Sequence, residues 1–176
     1  MSDSFTRDEL DLLREHGIVI FAERVIYEAQ PPLAEARIAE IQALCSGPLP
    51  PGLLELWRIT AGGRMDYDLS LSIDGCEEAI SWCELFFDGS RRYNDLQGWI
   101  EHEQEITEAA AETHGSHWSG KLDYLPFGGF EYCDRIYVEI NPGPDYGQVI
   151  AWKKGMACSK TVWPPWRRMC AQPLPR

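Results

Sequence analysis

Residues 122–152 constrain the fold more strongly than any other stretch of the sequence. Within residues 135–140, Ile and Val alternate with Arg, Tyr and Glu, which is the period of a β-strand buried on one face. Residues 141–146 then read Asn-Pro-Gly-Pro-Asp-Tyr, in which proline fixes φ, glycine permits positive φ and aspartate forms Asx turns. A second apolar run follows at residues 147–152. The sequence therefore predicts a β-hairpin whose register is set jointly by the turn and by the buried face.

Helical signals begin near the N-terminus. Thr6 and Glu9 have the spacing of a capping box, in which the hydroxyl accepts from the N3 amide and the carboxylate accepts from the cap amide. Gly17 stands where the resulting short amphipathic helix would stop. Residues 18–27 fit the period of a strand and the period of a helix, so both alternatives stay open at this point.

Two proline-containing breaks flank the next predicted helix. Pro31-Pro32 can end the preceding element and open a helix, whose apolar residues follow at helical spacing from residue 33 to residue 44. Residues 46–52, Ser-Gly-Pro-Leu-Pro-Pro-Gly, are too short for a domain linker and predict a rigid helix-to-helix connection. A brief second helix over residues 53–60 stops at Gly62-Gly63, which we interpret most simply as its C-terminal cap.

The period changes to that of a strand after Met65. Residues 67–73 alternate apolar residues with Asp and Ser, and Asp74-Gly75 is a turn signal. Residues 79–87 fit a helical stripe as well as a strand, and we expect a second strand over their later half.

A long helix is predicted next. Asn94 or Asp95 supplies its cap, and it ends near His114-Gly115. Its glutamates are expected to form an acidic outer face. They are Glu101, Glu103, Glu105, Glu108 and Glu112.

This order of elements predicts an α+β fold with a mixed or antiparallel β-sheet flanked by helices. At 176 residues the chain is long enough for one well-buried core, so we expect a single domain over residues 1–176. Its core would span about 33–153, with an N-terminal helical extension over 1–32. Residues 154–176, rich in Trp and Pro, would form an irregular C-terminal tail over the core.

Composition narrows the possible partners. With 28 Asp and Glu against 16 Lys and Arg, the formal net charge is −12, which repels nucleic-acid backbones and anionic membranes. Solubility alone can explain this acidity, whereas the more specific interpretation is that the protein binds a cationic protein. Six scattered cysteines without a C-x-x-C pair fit reduced thiols. The sequence shows neither a leader-like N-terminus nor an apolar run of membrane-spanning length, so a cytoplasmic protein is expected.

Several short motifs in this order resemble the SUKH superfamily, the group of the yeast Smi/Knr cell-wall regulator and many bacterial immunity proteins. They comprise a Leu-Pro before a short helix that ends in Gly-Gly, a Leu-Pro-Phe-Gly strand, an Asp-x-Ile strand and a Gly-x-Val. The residues concerned are Leu49, Pro50, Trp57, Gly62, Gly63, Leu125, Pro126, Phe127, Gly128, Asp134, Ile136, Gly147 and Val149. The chain departs from the pattern at Tyr132-Cys133, where the family tends to have glycine, and in a longer segment over 74–119.

Enzyme chemistry finds no support in the sequence. His114 and His117 have metal-ligand spacing, yet no Cys or carboxylate stands at a supporting position. His102-Glu103 lacks the second histidine of a zinc-protease motif. We therefore expect a non-enzymatic protein without cofactor or metal.

The resemblance implies a protein that binds another protein. The leading expectation is a bacterial immunity protein that neutralises a cognate cationic toxin, of nuclease type, by electrostatic steering to its basic groove. The alternative is a regulatory or scaffolding module of the Smi/Knr type. The candidate contact surfaces are the first strand and its turn, the acidic outer face of the long helix and the corner before the last hairpin, with Tyr and Trp as anchors. The candidate residues outside the helix are seven carboxylates and one aromatic residue. They are Asp66, Asp68, Asp74, Glu77, Glu78, Glu131, Tyr132 and Asp134.

Overall fold

A computed structural model describes residues 5–22, 24–73, 76–90, 95–131 and 134–152. Helices and strands alternate irregularly along this part of the chain. The helices are α1 Arg7–Glu15, α2 Glu35–Leu44, α3 Pro51–Trp57 and α4 Leu96–Thr113. The strands are β1 Val19–Phe21, β2 Arg24–Ile26, β3 Gly63–Ile73, β4 Cys76–Leu85, β5 Tyr124–Glu131, β6 Asp134–Glu139 and β7 Val149–Trp152.

Strands β3 to β7 form one antiparallel sheet in sequence order, and β1 and β2 form a separate two-stranded sheet. The predicted α+β class and antiparallel sheet are therefore confirmed. The hairpin predicted within residues 122–152 is β6 and β7, with Val138 opposite Val149 and Arg135 opposite Trp152. Gly147 closes its turn with a φ of +78°, a conformation that favours glycine.

The N-terminal segment contains the predicted capped helix. The Thr6 hydroxyl accepts from the Glu9 amide at 3.4 Å, and the Glu9 carboxylate accepts from the Thr6 amide at 2.7 Å. Gly17 follows the helix with a φ of +70°. The predicted helical extension is therefore only partly helical, because the segment left open between helix and strand is the β1–β2 hairpin.

Tertiary contacts decided between those alternatives. Val19 and Ile26 of the hairpin are buried in the core. The backbones of Tyr27 and Arg64 exchange two hydrogen bonds, which join the end of β2 to the start of β3. Local periodicity in the sequence cannot predict such long-range hydrogen bonds.

Helices α2 and α3 are linked by the predicted rigid connection. The Gln42 side chain donates to the Gly47 carbonyl at 2.8 Å and accepts from the Leu49 amide at 2.7 Å, so one side chain holds both ends of the loop. Pro51 occupies the first turn of α3, where a missing amide hydrogen costs nothing. The start of α2 lies at Glu35, later than predicted from Pro31-Pro32.

The backbone groups of the segment before α2 form hydrogen bonds outside that helix. The Pro31 carbonyl accepts from the Ala61 amide, and the Leu33 amide donates to the Trp57 carbonyl. These bonds hold the proline segment in an extended conformation beside α3, so α2 begins only at Glu35.

The core lies between α2, α3, the first turns of α4 and the sheet. Side chains with at most 2% exposure come from each of these elements. They include Ile41, Leu53, Leu56, Leu96, Ile100, Leu125, Phe127, Ile136 and Val149. No described helix combines the length and apolarity that crossing a membrane requires.

The Gly62-Gly63 pair does not cap a helix, contrary to the sequence-based interpretation. Helix α3 ends at Trp57 with Arg58 in the right-handed region, and neither glycine has positive φ. A Cβ at Gly62 would lie 2.7 Å from the Phe86 carbonyl oxygen, and one at Gly63 would lie 2.9 Å from the Tyr27 carbonyl oxygen. Both glycines are therefore required by close approach of backbones rather than by conformation.

Candidate partner-binding surface

Strands β3 and β4 continue as a two-stranded ribbon. Their register pairs Tyr67 with Trp82 and runs without interruption to Ile73 opposite Cys76. We call residues 66–73 and 76–83 the acidic ribbon. Periodicity alone left residues 79–87 open between a helix and a strand. These residues form a strand as far as Leu85, because β4 pairs along its length with β3.

The neighbouring strand is shorter than the ribbon. β4 pairs with β5 at Glu84–Gly129 and Leu85–Gly128. On that register Glu131, the last residue of β5, is level with Trp82. The part of β4 from Cys76 to Ser81 therefore extends past the end of β5, so the distal ribbon is a two-stranded projection from the end of the sheet.

The two faces of the ribbon differ in composition. Residues directly opposite each other in an antiparallel ladder share a face, and successive residues alternate between faces. One face carries the polar or small residues Asp68, Ser70, Ser72, Glu77, Ala79 and Ser81. The other carries the mostly apolar residues Tyr67, Leu69, Leu71, Ile73, Cys76, Glu78, Ile80 and Trp82.

The sequence-predicted contact residues converge on this end of the sheet. Four of the five from the first strand and its turn belong to the ribbon, namely Asp66, Asp68, Glu77 and Glu78. The fifth, Asp74, lies outside the described residues, as does Tyr132. Glu131 and Asp134 are paired across the β5–β6 hairpin, level with the base of the ribbon. Two groups that are more than 50 positions apart in sequence are thus brought to one edge of the molecule.

Helix α4 carries the second acidic surface, but the prediction that all five of its glutamates form this face was wrong. Glu101, Glu105, Glu108 and Glu112 are exposed. Glu103 is not part of that face, because its side chain is only 14% exposed and points toward the sheet. The Tyr137 hydroxyl donates to its Oε2 atom at 2.9 Å, and the Arg135 guanidinium lies 3.6 Å from the same atom.

Aromatic rings complete this cluster between α4 and β6. The Arg135 guanidinium carbon lies 4.6 Å from the centre of the Trp99 ring, within range of a cation–π interaction. Trp99 stacks on Phe86 with ring centres 5.5 Å apart. Arg135 and Tyr137 were predicted to form the solvent face of their strand, yet α4 covers that face. The signal that could have revealed it is the i, i+4 spacing of Trp99 and Glu103 on one helix stripe.

Burial dominates the titration of the cluster. It raises the pKa of Glu103 above its ordinary value of 4.5, against the opposing effects of the Tyr137 hydrogen bond and the Arg135 charge. It also raises the pKa of Tyr137, and the neighbouring Glu103 carboxylate adds to that increase. The Nε and Nη1 atoms of Arg135 have no hydrogen-bond partner among the described residues. The cluster therefore resembles a costly structural ion pair that fixes α4 on the sheet.

The residues considered for metal binding do not assemble. His114 and His117 are exposed at the end of α4, and no group of three His, Cys, Asp or Glu side chains within the described residues could hold a metal ion. Cys45 is a free buried thiol whose pKa is raised to about 11 by burial, despite the nearby Lys121 charge. A thiol in this state is an inert part of the core.

The motif residues that carried the family resemblance lie in the packed part of the fold. Leu49, Pro50, Trp57, Gly62, Gly63, Leu125, Pro126, Phe127, Gly128, Ile136 and Val149 are all buried. Gly128 lies directly opposite Ile136, and a Cβ at Gly147 would lie 3.6 Å from Pro50. The Leu-Pro and Gly-x-Val motifs thus meet where the α2–α3 connection packs on the β6–β7 turn.

Fold and surface together define an acidic α+β protein that projects a charged two-stranded ribbon from one end of its sheet. A family model described as the SMI1 / KNR4 family (SUKH-1) matches residues 32–171, and the chain belongs to this family. The relationship predicted from the motifs is therefore confirmed. Comparisons with curated proteins and with solved structures found no significant match.

Proposed function

We propose that this protein is an immunity protein that binds a cationic toxin, and that it does so through the acidic ribbon and the adjoining β5–β6 corner without catalysing a reaction. The observation that carries the proposal is the convergence of Asp66, Asp68, Glu77 and Glu78 with Glu131 and Asp134 at one end of the sheet. Nuclease toxins need basic grooves to hold nucleic acid. An acidic projection on a chain of net charge −12 is suited to enter such a groove in the cytoplasm.

Steering and anchoring would be divided between the two faces of the ribbon. Carboxylates such as Asp68 and Glu77 accelerate encounter with a basic surface and select it over acidic ones. Tyr67 and Trp82 are opposite each other in the register of the ladder, and aromatic residues are the usual hot spots of protein interfaces.

A matched pair of charge-neutralised variants tests the proposed face. The tagged chain is used to capture partners from the source organism's lysate in low and in moderate salt. The ribbon variant replaces four carboxylates by their amides, at Asp66, Asp68, Glu77 and Glu78. The control variant does the same on the exposed face of α4, at Glu101, Glu105, Glu108 and Glu112. We expect one stoichiometric basic partner that the ribbon variant loses and the control variant keeps.

Other results would redirect the proposal. Loss of the partner only from the α4 variant would move the interface to that helix. Several substoichiometric partners that are lost in moderate salt would favour the regulatory or scaffolding module, the other role associated with this fold. For a single partner, co-expression in a sensitive host decides between the two, because an immunity protein restores growth and a regulator does not.

A further inference from the structure

We infer that this protein pairs with a second copy of itself through the open edge of β1, with Ile20 of one protomer opposite Ile20 of the other. The strand belongs to the N-terminal β1–β2 hairpin, which precedes the residues that the family model matches. The pairing does not depend on the toxin proposal, so the two can be tested separately.

Strand β1 lies at the edge of its sheet. One side of β1 pairs with β2, and the chain that leaves β2 is bonded in turn to β3 through Tyr27 and Arg64. No strand among the described residues pairs with the other side of β1. An edge of this kind presents backbone groups that the strand of another chain can bond.

Hydrogen bonds on the far side of the hairpin fix the direction of the Ile20 backbone. The Tyr27 amide and carbonyl point away from β1, because they exchange bonds of 2.8 and 2.7 Å with Arg64. The direction of backbone groups alternates along a strand, so those of Val25 also point away from β1. Val25 lies opposite Ile20, and this pair is therefore not hydrogen-bonded. The Ile20 amide and carbonyl thus point out of the open edge.

A two-fold pairing matches the groups that this edge presents. Ile20 is the central residue of β1, and its neighbours Val19 and Phe21 are turned toward β2. The Ile18 amide, on the same side as Ile20, already donates to the Leu13 carbonyl at the end of α1 at 2.9 Å. In an antiparallel pairing centred on Ile20, each Ile20 amide donates to the carbonyl of the other Ile20. Such a pairing uses the same edge in both protomers and closes the assembly at two copies.

The composition of the hairpin favours a second copy over a cationic partner. Natural edge strands are usually protected by lysine, proline or a bulge, whereas residues 18–27 contain eight apolar residues and no proline. The one Glu and one Arg of this stretch give it no net charge. Two copies of a chain of net charge −12 repel each other, and here they can meet without bringing like charge together. A cationic protein gains no electrostatic attraction from a neutral surface.

Exposed apolar side chains are concentrated in the same part of the molecule. Five of the six large hydrophobic side chains that are exposed among the described residues belong to residues 5–27, which marks this region as a contact surface. Val25 and Tyr27, 38% and 46% exposed, share a face of the hairpin with Ile20. In the pair, the row formed by Val25 and Ile20 continues into the second copy, so these side chains gain cross-strand neighbours.

Pairing at β1 and partner binding at the acidic ribbon use different residues. β3 passes the hairpin at Arg64 and ends at Ile73, about 30 Å further along an extended chain. The dimer therefore carries two ribbons and binds a partner with two basic surfaces more tightly than one copy does. Only this consequence rests on the proposed function.

Hydrogen exchange of the wild-type protein tests the pairing without a substitution. Sedimentation velocity gives the oligomeric state over the same range of concentrations. We expect a monomer–dimer equilibrium in which the Ile20 amide exchanges about tenfold or more slowly in the dimer. The Ile26 amide is the internal control. It points toward Val19 within the hairpin, so its exchange should change far less with concentration.

Opposite charges at position 20 test the register. Ile20→Lys and Ile20→Glu each place like charges opposite each other, so each variant alone should self-associate about tenfold or more weakly. An equimolar mixture should form dimers again, because each variant then faces the opposite charge. Val25→Lys is the matched control on the same face. The two copies of residue 25 are three strand spacings apart, about 14 Å, so self-association should weaken by less than about threefold.

Contrary results are distinct. A wild-type protein that stays monomeric at every concentration overturns the pairing, as does a dimer whose Ile20 amide exchanges as fast as in the monomer. If both charge variants unfold in urea as wild type does and their mixture is still monomeric, the pairing is not centred on Ile20. Protection of this amide only after a captured basic partner is added assigns the edge to that partner instead. Failure of the toxin proposal leaves the wild-type results unaffected.

Discussion

The base of the sheet and the acidic ribbon are parts of the same strands, yet they are stabilised differently. At the base, β3 and β4 are joined to β5, to the β1–β2 hairpin and to the loops around α3, and residues such as Leu85 and Phe127 are buried. In the distal ribbon the described pairing is that of β3 with β4. The family motifs lie at the base, and four of the eight predicted contact residues lie in the ribbon. Substitutions in the ribbon are therefore expected to leave undisturbed the residues that specify the fold.

The largest effect that tests this contrast is expected at Glu103. Glu103→Ala removes the carboxylate that accepts from Tyr137 and faces Arg135, so a buried guanidinium and a buried hydroxyl lose their partner. We expect a loss of about 3 kcal/mol in the free energy of unfolding. Urea denaturation measures it. Glu105→Ala, two positions away on the exposed side of the helix, should change it by less than about 0.5 kcal/mol. Equal effects would mean that the cluster does not fix α4.

Close backbone approach at the base gives the next effect. An added methyl at Gly62 meets the Phe86 carbonyl oxygen and the Phe87 Cα, neither of which is a flexible side-chain end. Gly62→Ala should therefore destabilise the protein by about 1–3 kcal/mol. Gly98→Ala is the matched control, because a Cβ there has ordinary contacts within α4 and alanine favours helix by up to about 1 kcal/mol. The two substitutions should shift the melting temperature in opposite directions.

Sequence patterns located most elements of the base and failed where distant segments meet. The Thr6 cap, the proline connection and the last hairpin were predictable because their signals are local. The β1–β2 hairpin was not, since hydrogen bonds between Tyr27 and Arg64 decide it. The same limit applies to Gly62 and Gly63. Only glycine fits at these positions because the backbones of Phe86 and Tyr27, which are distant in sequence, approach them closely.

The candidate surface shows the same division. Alternation over residues 67–73 identified a strand with Asp68 on its polar face, but it did not show that β4 extends past β5. Counting charges on α4 placed Glu103 with its exposed neighbours, because composition does not show which side of a helix a sheet covers. That assignment needed Arg135 and Tyr137, whose own pattern suggested a solvent-facing strand.

A pH titration of stability separates the buried carboxylate from an exposed one. Because the folded-state pKa of Glu103 is raised, its contribution is fully present below about 4.5 and is lost as pH rises through the folded-state value. The pKa of Glu9 is lowered by hydrogen bonds from the Thr6 amide and hydroxyl, so its contribution is lost as pH falls. Urea unfolding between pH 4 and 7 should show wild type losing stability relative to Glu103→Gln as pH rises. The difference from Glu9→Gln should change in the opposite direction.

The smallest effect on stability is expected in the ribbon. Asp66 and Asp68 belong to the part of β3 beyond its pairing with the base, and Asp74 follows that strand in the sequence. We expect reversal of these three charges to lysine to change the free energy of unfolding by less than about 1 kcal/mol. Association with a captured basic partner should nevertheless slow by about tenfold or more at low salt, because steering depends on the sign of the charge. Stopped-flow kinetics at two ionic strengths measure this. Unchanged association rates would rule out this strand as the steering face, whereas unfolding of the variant would show that the ribbon contributes to the base after all.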